Sequence, residues 1–366
     1  MNDFRDAAYM QMAYGLAEKA IGGAGPNPCV GALVVKNGVI VGHGYHPGAG
    51  HPHAETLALA GAGERAHGAT LYVTLEPCVH WGRTPPCVDA VLTAGLKKVV
   101  VSALDPNPLV LGKGIRALRR AGLDVTVGLL AERNRRLNEG YVKYITRKAP
   151  FVTLKAALSL DGKMATRTFD SRWISAEATR EYVHLLRGEC DALLVGINTI
   201  LRDDPLLTVR HSNWPKKKIV RVILDAGLRI PLKARVLSTL PGGKVIVFAA
   251  ANAPPRKKEA LTGKGVEVIS LPARGRRLDL GRVLAKLGQL EIASLLVEGG
   301  GQTATAFLER KLADKVLLSI SPRLIGGRDA VSFFGGAGAA RIKDALRLKT
   351  VSSFRIGEDT LLEGYF

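Results

Sequence analysis

Along the first 150 residues the apolar positions switch repeatedly between a period of two and a helical period of three to four. MNDFRDAAYMQMAYGLAEKA reads as an amphipathic helix. GALVVKNGVIVGHGYH alternates as two strands around Asn37-Gly38, the residues of a type I′ hairpin turn. HAETLALAGAG follows as a helix closed by glycine, then the strand ATLYVTLEP, the helix CVDAVLTAGL and the continuously apolar strand KKVVVSAL. GIRALRRAG (helix), DVTVGLL (strand) and AERNRRLNEGYVKYI (one basic helix) complete the half. Such alternation predicts a largely parallel central sheet with helices on both faces.

Near TRKAPFVTLK the pattern restarts, and Pro150 marks the linker. A second α/β unit follows, with strands FVTLKAAL, DALLVGI, IVRVILD, KVIVFAA and SLLVEGG, then QTATAFLERKL, the strand KVLLSISP and a last stretch ending DTLLEGYF. No internal repeat relates the halves. The expected domains are residues 1–148 and 149–366.

Composition narrows the class. In 366 residues, 47% are hydrophobic and 23% charged, the balance of a folded globular chain and not a disordered one. No apolar run approaches the ~18–20 residues that span a bilayer. Acidic residues stand in the first turn where an export signal would be basic, so the expected location is cytoplasmic. A formal charge of +20 invites nucleic acid, but the basic runs at 216–218, 256–258 and 276–277 are scattered with few aromatics between them. No dedicated nucleic-acid surface and no membrane partner are expected. The oligomeric state is left open, a homo-oligomer being compatible with the sequence.

The candidate chemistry lies in EPCVHWGRTPPC, residues 76–87. Four cysteines in so long a chain do not make a disulfide scaffold. Cys78 and Cys87 have a third partner upstream: His53-Ala54-Glu55 at the start of a helix. One imidazole and two thiolates suit Zn²⁺, and three protein ligands leave the fourth position to water, whose pKa the metal lowers to about 7. Glu55, two residues from a ligand, is placed to move protons without binding metal. This is the H-x-E…P-C…C order of zinc nucleobase deaminases, with eight residues between the cysteines in place of the usual two. His43, His46, His51 and His67 have no partner spacing and read as surface or hairpin residues; Cys29 and Cys190 read as buried thiols.

The longer insert, with GPNPCVGALVV before it and DPNPLVLGKGI after it, resembles the bifunctional deaminase–reductases of riboflavin biosynthesis. The resemblance continues through LKAALSLDGKMAT, SRWIS, GINTILRDDPLLTVR and VEGGGQTATAFL, and so covers nearly the whole chain. It implies a cytidine-deaminase-like α/β/α sandwich followed by a dihydrofolate-reductase-like α/β domain. The first would remove the 2-amino group of a phosphorylated pyrimidine nucleotide-like substrate, with His53, Cys78 and Cys87 holding zinc, Glu55 shuttling protons and Asn27 holding the pyrimidine. The second would use NADPH to reduce the ribosyl group to ribityl. The resemblance implies cofactor contacts at Ala157, Trp173, Thr199, Asp203 and Gly300, Gly301, Gln302, Thr303, Ala304, Thr305 and Ala306. It implies substrate contacts at Ser171, Arg187, Leu207, Arg210 and Glu298. Arg187 and Arg210 suit a 5′-phosphate, since guanidinium binds phosphate bidentately. Lys155 and Asp161 are candidates for a position near the reacting carbon, and His80 and Arg83 for contact with the pyrimidine nucleotide. Val79 and Trp81 depart from the family's usual insert residues. Two other readings compete: a tRNA adenosine deaminase with an unrelated appendage, and a zinc-stabilised binding module without catalysis.

Overall fold

The computed structural model describes every residue except Met1, Arg83, Pro215, Lys216 and Arg276. The chain forms two compact units, Met1–Ala149 and Pro150–Phe366. None of the helices among the described residues is long and apolar enough to cross a membrane.

The first unit runs α1 (Asn2–Ala17), β1 (Gly31–Lys36), β2 (Val39–Tyr45), α2 (Ala54–Ala62), β3 (Thr70–Leu75), α3 (Cys87–Thr93), β4 (Lys98–Ala103), α4 (Lys113–Arg120), β5 (Asp124–Val127), α5 (Ala131–Leu137) and α6 (Glu139–Arg147). Its sheet has the order β2-β1-β3-β4-β5. Asn37 and Gly38 both have positive φ, 50° and 81°, and close the β1–β2 hairpin. The crossover through α2 then lays β3 on the far side of β1, antiparallel to it, so that β2, β3, β4 and β5 share one direction and β1 alone is reversed. The sheet is therefore mixed where the alternation predicts a largely parallel one, because the tight turn reverses one strand.

Both faces of this sheet are covered, which explains its near-continuous apolar strands. Ala32, Val34, Leu71, Val73, Val99 and Val101 pack with Ala58 of α2, Val91 of α3 and Leu118 of α4. The intervening Leu33, Val35, Tyr72 and Val100 pack with Met10, Ala13 and Tyr14 of α1. The single basic helix expected over AERNRRLNEGYVKYI is two helices, broken at Asn138, whose φ is −110°. The buried Asn138 amide bridges the Cys29 backbone, its Oδ1 accepting from N at 2.7 Å and its Nδ2 donating to O at 3.1 Å. A side chain committed to that bridge competes with a continuous helix.

At the end of β3 the buried Glu76 carboxylate accepts three backbone N–H groups, from Asp105 (3.3 Å), Gly112 (2.9 Å) and Ile115 (3.1 Å). This fixes the loop 105–112 and the start of α4 against the Pro77–Cys78 turn. Gly114 lies so close to that turn that a Cβ there would collide with the Pro77 carbonyl oxygen and lie 3.1 Å from the Glu76 side chain.

The second unit is built on a nine-stranded sheet. In spatial order its strands are Glu267–Leu271, Val245–Ala250, Val220–Leu224, Ala192–Gly196, Ser294–Val297, Phe151–Ser159, Lys315–Ser321, Asp359–Tyr365 and Thr350–Ile356. The first seven run parallel, Asp359–Tyr365 is antiparallel to them, and Thr350–Ile356 pairs antiparallel with Asp359–Tyr365. Alternate residues again feed two cores. Ala192, Leu194, Val222, Ile246 and Phe248 meet the helices Leu280–Gln289 and Gly301–Glu309, while Leu193, Val195, Ile223, Val245 and Val247 meet Ile197–Asp203 and the segment 228–237. The final hairpin, Thr350–Ile356 with Asp359–Tyr365, turns at Gly357 and supplies the antiparallel edge.

Gly114→Ala should destabilise the first unit by about 1–3 kcal/mol, the usual cost of overpacking a tight contact. Thermal unfolding of the purified chain, followed by circular dichroism, measures this.

Candidate active sites

Within the first unit, His53, Cys78 and Cys87 come from two strand-to-helix transitions, β2 to α2 and β3 to α3. His53 is the N-cap of α2, Cys78 follows β3, and Cys87 is the first residue of α3. Their donor atoms lie within 4.8 Å of one another, the one His/Cys/Asp/Glu cluster of this kind among the described residues. The His53 Nδ1 is 3.0 Å from the Cys87 sulfur and 3.6 Å from that of Cys78. No disulfide joins Cys78 to Cys87. One imidazole nitrogen and two sulfurs converging on one point fit zinc in kind and number.

Without a metal the cluster shares its protons internally: Cys78 is shifted towards the thiolate that a metal binds, while Cys87 and His53 are shifted towards their protonated forms, so that binding zinc would release protons. The hydrogen bond from Cys87 holds the Cys78 thiol down to about 4, and the His53 ring assists. The backbone N–H of Cys87 also donates to that sulfur, at 3.3 Å. Cys87 is pushed up by the same hydrogen bond and by burial. Hydrogen bonding to Cys78 raises the His53 pKa against the effect of burial. Glu55, in the first turn of α2, is buried, and desolvation raises its carboxyl to about 7.

Two residues that spacing alone passes over surround this cluster. The outer nitrogen of His53, Nε2, lies 3.3 Å from the Thr84 hydroxyl, so the insert folds back onto the ligand. His46 is 3% exposed, not a surface residue, and its ring stands edge-on to His53 at 4.9 Å. It donates from Nδ1 to the Pro52 carbonyl (3.1 Å) and accepts at Nε2 from the Asn27 amide (2.9 Å). Asn27 is thereby brought to the cluster with its amide orientation set. A histidine separated from its partners by 19 and 6 residues carries no spacing signal; only the fold unites them. The His80 Nδ1 is buried without a hydrogen-bond partner. Arg83 lies outside the described residues.

The second unit contains a cavity of about 1180 Å³ at the carboxyl ends of its parallel strands. Of the expected contacts, Ser171, Thr199, Asp203, Glu298, Gly300, Gly301, Gln302, Thr303, Thr305 and Ala306 line it. The turn after Ser294–Val297 leads into the helix Gly301–Glu309, whose first amides are the donors a helix leaves unpaired. Gly301 has no room for a side chain, since a Cβ would collide with the Ser332 carbonyl oxygen. The cavity's size and this glycine-rich helix start fit a dinucleotide.

The remaining expected contacts lie off its wall. Ala304 and Leu207 are buried in the protein interior, Ala157 sits on Phe151–Ser159, and Trp173 is exposed with the Arg180 guanidinium stacked on its ring at 4.7 Å. Asp161 accepts from the Ser159 hydroxyl (2.6 Å) and from the backbone of Ile325 (3.0 Å) and Gly326 (2.7 Å), which lowers its pKa to about 2. Arg210 donates to the Thr208 hydroxyl (3.2 Å) and lies 3.1 Å from His184. Burial, reinforced by the charges of Arg187 and Arg210, lowers His184 to about 4 and keeps it neutral at pH 7.

Arg187 and Glu298 form a side-on pair, Nε to Oε1 at 2.8 Å and Nη2 to Oε2 at 2.6 Å, with side chains only 14% and 13% exposed. Burial alone would raise the Glu298 carboxyl; the Arg187 charge and hydrogen bonds, with Lys155 nearby, hold it below its ordinary value. Lys155 is lowered by burial. Sequence reasoning also passed over the segment Leu224–Gly227 with Arg229, which lines the cavity. The signal for it was the strand IVRVILD running into a glycine on the same sheet edge. Glu298→Ala, which strands two buried cations, should destabilise the second unit by roughly 3–5 kcal/mol; urea unfolding of the full chain measures it.

Comparison with known proteins agrees with this geometry. Residues 4–103 match the family described as the cytidine and deoxycytidylate deaminase zinc-binding region, and residues 150–362 match the RibD C-terminal domain. The riboflavin biosynthesis protein RibD of Aquifex aeolicus is 47% identical over 357 residues, 98% of this chain and 97% of that protein. Its counterpart from Escherichia coli K12 is 38% identical over 369 residues, 98% of each. Among solved structures, Acinetobacter baumannii RibD (form 1) has a TM-score of 0.88 at 38% identity, covering 99% of both chains. The Thermotoga maritima diaminohydroxyphosphoribosylaminopyrimidine deaminase/5-amino-6-(5-phosphoribosylamino)uracil reductase has a TM-score of 0.87 at 36%, covering 100% of this chain and 99% of that one. A second half that matches the RibD C-terminal domain is no unrelated appendage, which removes the ground for a tRNA deaminase. The chain belongs to the RibD family, the bifunctional deaminase–reductases of riboflavin biosynthesis.

Proposed function

We propose that this chain performs two successive reactions on one phosphorylated pyrimidine. The first unit hydrolyses the 2-amino group from 2,5-diamino-6-ribosylamino-4(3H)-pyrimidinone 5′-phosphate and releases ammonia. The second reduces the ribosyl group, through its open-chain imine, to the ribityl chain of 5-amino-6-ribitylaminouracil 5′-phosphate. The observation that carries the first step is the convergence of His53, Cys78 and Cys87 beside the buried Glu55.

Those three side chains would hold a zinc ion, which would supply Lewis acidity to make water nucleophilic near neutral pH. The Glu55 carboxylate accepts a proton from the attacking water and returns it, first to the ring nitrogen and then to the departing amine. Asn27, oriented by His46, presents its amide oxygen to the pyrimidine, and His80 offers its unpartnered ring nitrogen to the same ligand. In the second unit the glycine turn and the helix start at Gly301 hold the cofactor pyrophosphate. A bound NADPH would supply the hydride, and Lys155 and Glu298 would flank the carbon that receives it. The substrate's 5′-phosphate falls to Arg210, since Arg187 is already engaged by Glu298.

A coupled assay of the full chain, following ammonia release and NADPH oxidation separately, tests the whole reading. Glu55→Ala should retain one zinc per chain, abolish ammonia release, and still oxidise NADPH when given the deaminated intermediate. A non-catalytic zinc module would release no ammonia in the parent protein either. Thr84→Val removes the partner of His53 Nε2 and should weaken zinc binding roughly 10- to 100-fold, as loss of a ligand's supporting hydrogen bond does; chelator competition reads the affinity directly.

A further inference from the structure

The cavity extends well beyond the turn that takes a pyrophosphate. Next to Ser294–Val297 in the sheet stands Ala192–Gly196, and beyond it Val220–Leu224, all three parallel. Their carboxyl ends therefore open on one edge, with successive strands about 4.8 Å apart. The segment following Val220–Leu224 stands about 10 Å from the glycine turn, one ribose further along. On the other side of Ser294–Val297 lies Phe151–Ser159, which carries Lys155 towards Glu298. A dinucleotide with its reacting ring at that substrate end must lay its adenosine over residues 225–229.

This segment is held in shape from within. Asp225 is fully buried and accepts the Ile230 N–H at 2.8 Å, while the Leu228 N–H donates to the Asp225 carbonyl at 3.1 Å. Leu228 takes a left-handed conformation (φ 51°) and buries its side chain in the core. Asp225 and Arg229 both line the cavity, but Asp225 is fully buried, with Oδ2 taken by Ile230 and Oδ1 unpartnered, so the cation this segment offers is Arg229. Its Nη2 donates to the Asn198 Oδ1 at 3.0 Å, and the Asn198 Nδ2 donates to the Gln302 Oε1 at 3.1 Å. These side chains run in a line from the helix start to the guanidinium. Other arginines on the wall are engaged elsewhere: Arg202 stacks on Phe169 at 3.8 Å, and Arg310 donates to the Leu278 carbonyl at 3.4 Å. Arg277 lies on a separate two-stranded piece with Ala273–Arg274.

We propose that Arg229, steadied by Asn198, reads the adenosine 2′-phosphate and so sets the preference of the second unit for NADPH over NADH. The inference rests on the reductase reading above. Guanidinium pairs bidentately with a phosphate dianion, and NADH has only a hydroxyl at that position.

Dissociation constants of the full-length protein for NADPH, NADH, adenosine 2′,5′-bisphosphate and AMP, by fluorescence titration and competition, test it without turnover. Arg229→Ala should weaken NADPH and the bisphosphate about 10- to 100-fold, the worth of hydrogen bonds to a charged group. NADH and AMP should be unchanged, and Arg229→Lys should recover part of the loss. A parallel fall for both dinucleotides, no fall for either, or a selective loss in Arg277→Ala and not in Arg229→Ala would overturn the assignment. Equal affinity of the parent protein for NADPH and NADH would also overturn it, while leaving hydride transfer intact. A parent protein that binds neither dinucleotide removes the reductase reading itself, and this assignment with it.

Discussion

Three backbone amides, from Asp105, Gly112 and Ile115, converge on the Glu76 carboxylate, and the zinc pocket depends on that convergence. A buried carboxylate is costly unless its oxygens are satisfied. Here they are satisfied by the loop that must lie beside the Pro77–Cys78 turn. Cys78 can then face His53 only if β3 ends where Glu76 ends it. Gly114 completes the fit by leaving no atoms between α4 and the turn. The glutamate in E-P-C is thus a scaffold residue, whereas the glutamate in H-A-E faces the chemistry. Adjacent motifs of similar composition do opposite work because one carboxylate meets N–H donors and the other meets thiols and apolar walls.

The second unit manages its buried charges differently. Arg187 and Glu298 satisfy each other side-on, and Lys155 adds a further positive charge to the same neighbourhood. Burying this set contributes little net stability, because desolvation offsets most of the Coulomb attraction. Its value lies in direction: Glu298 leaves Val297 at a strand end and is held at the cavity wall by a helix from elsewhere in the chain. The same pairing fixes the Arg187 guanidinium against Glu298 and the Thr208 carbonyl.

What could be read from the chain follows from how local each signal is. The hairpin at Asn37-Gly38, the alternating strands and the order H-A-E, P-C, P-C are properties of short segments, and they reappear as elements and as the cluster of donor atoms. The antiparallel placement of β3 was not legible, because a crossover's landing site is set by packing on both faces of β1. Nor was the break at Asn138, where a side-chain bond to a residue 109 positions away outweighs helix periodicity. His46 and Arg229 escaped for the same reason. Each matters through partners that are distant in sequence or that sit on a loop of unremarkable composition.

The eight residues between the cysteines illustrate the difference between a spacing and a structure. As a spacing they depart from the short form of the deaminase pattern, and they could have been an inert surface loop. Folded, they carry Thr84 back to the outer nitrogen of His53 and leave the His80 ring nitrogen buried and unpartnered. A two-residue spacer between cysteines has no atoms with which to do either. The longer insert therefore supplies a second anchor for the imidazole and a buried, unpartnered ring nitrogen from one continuous piece of chain.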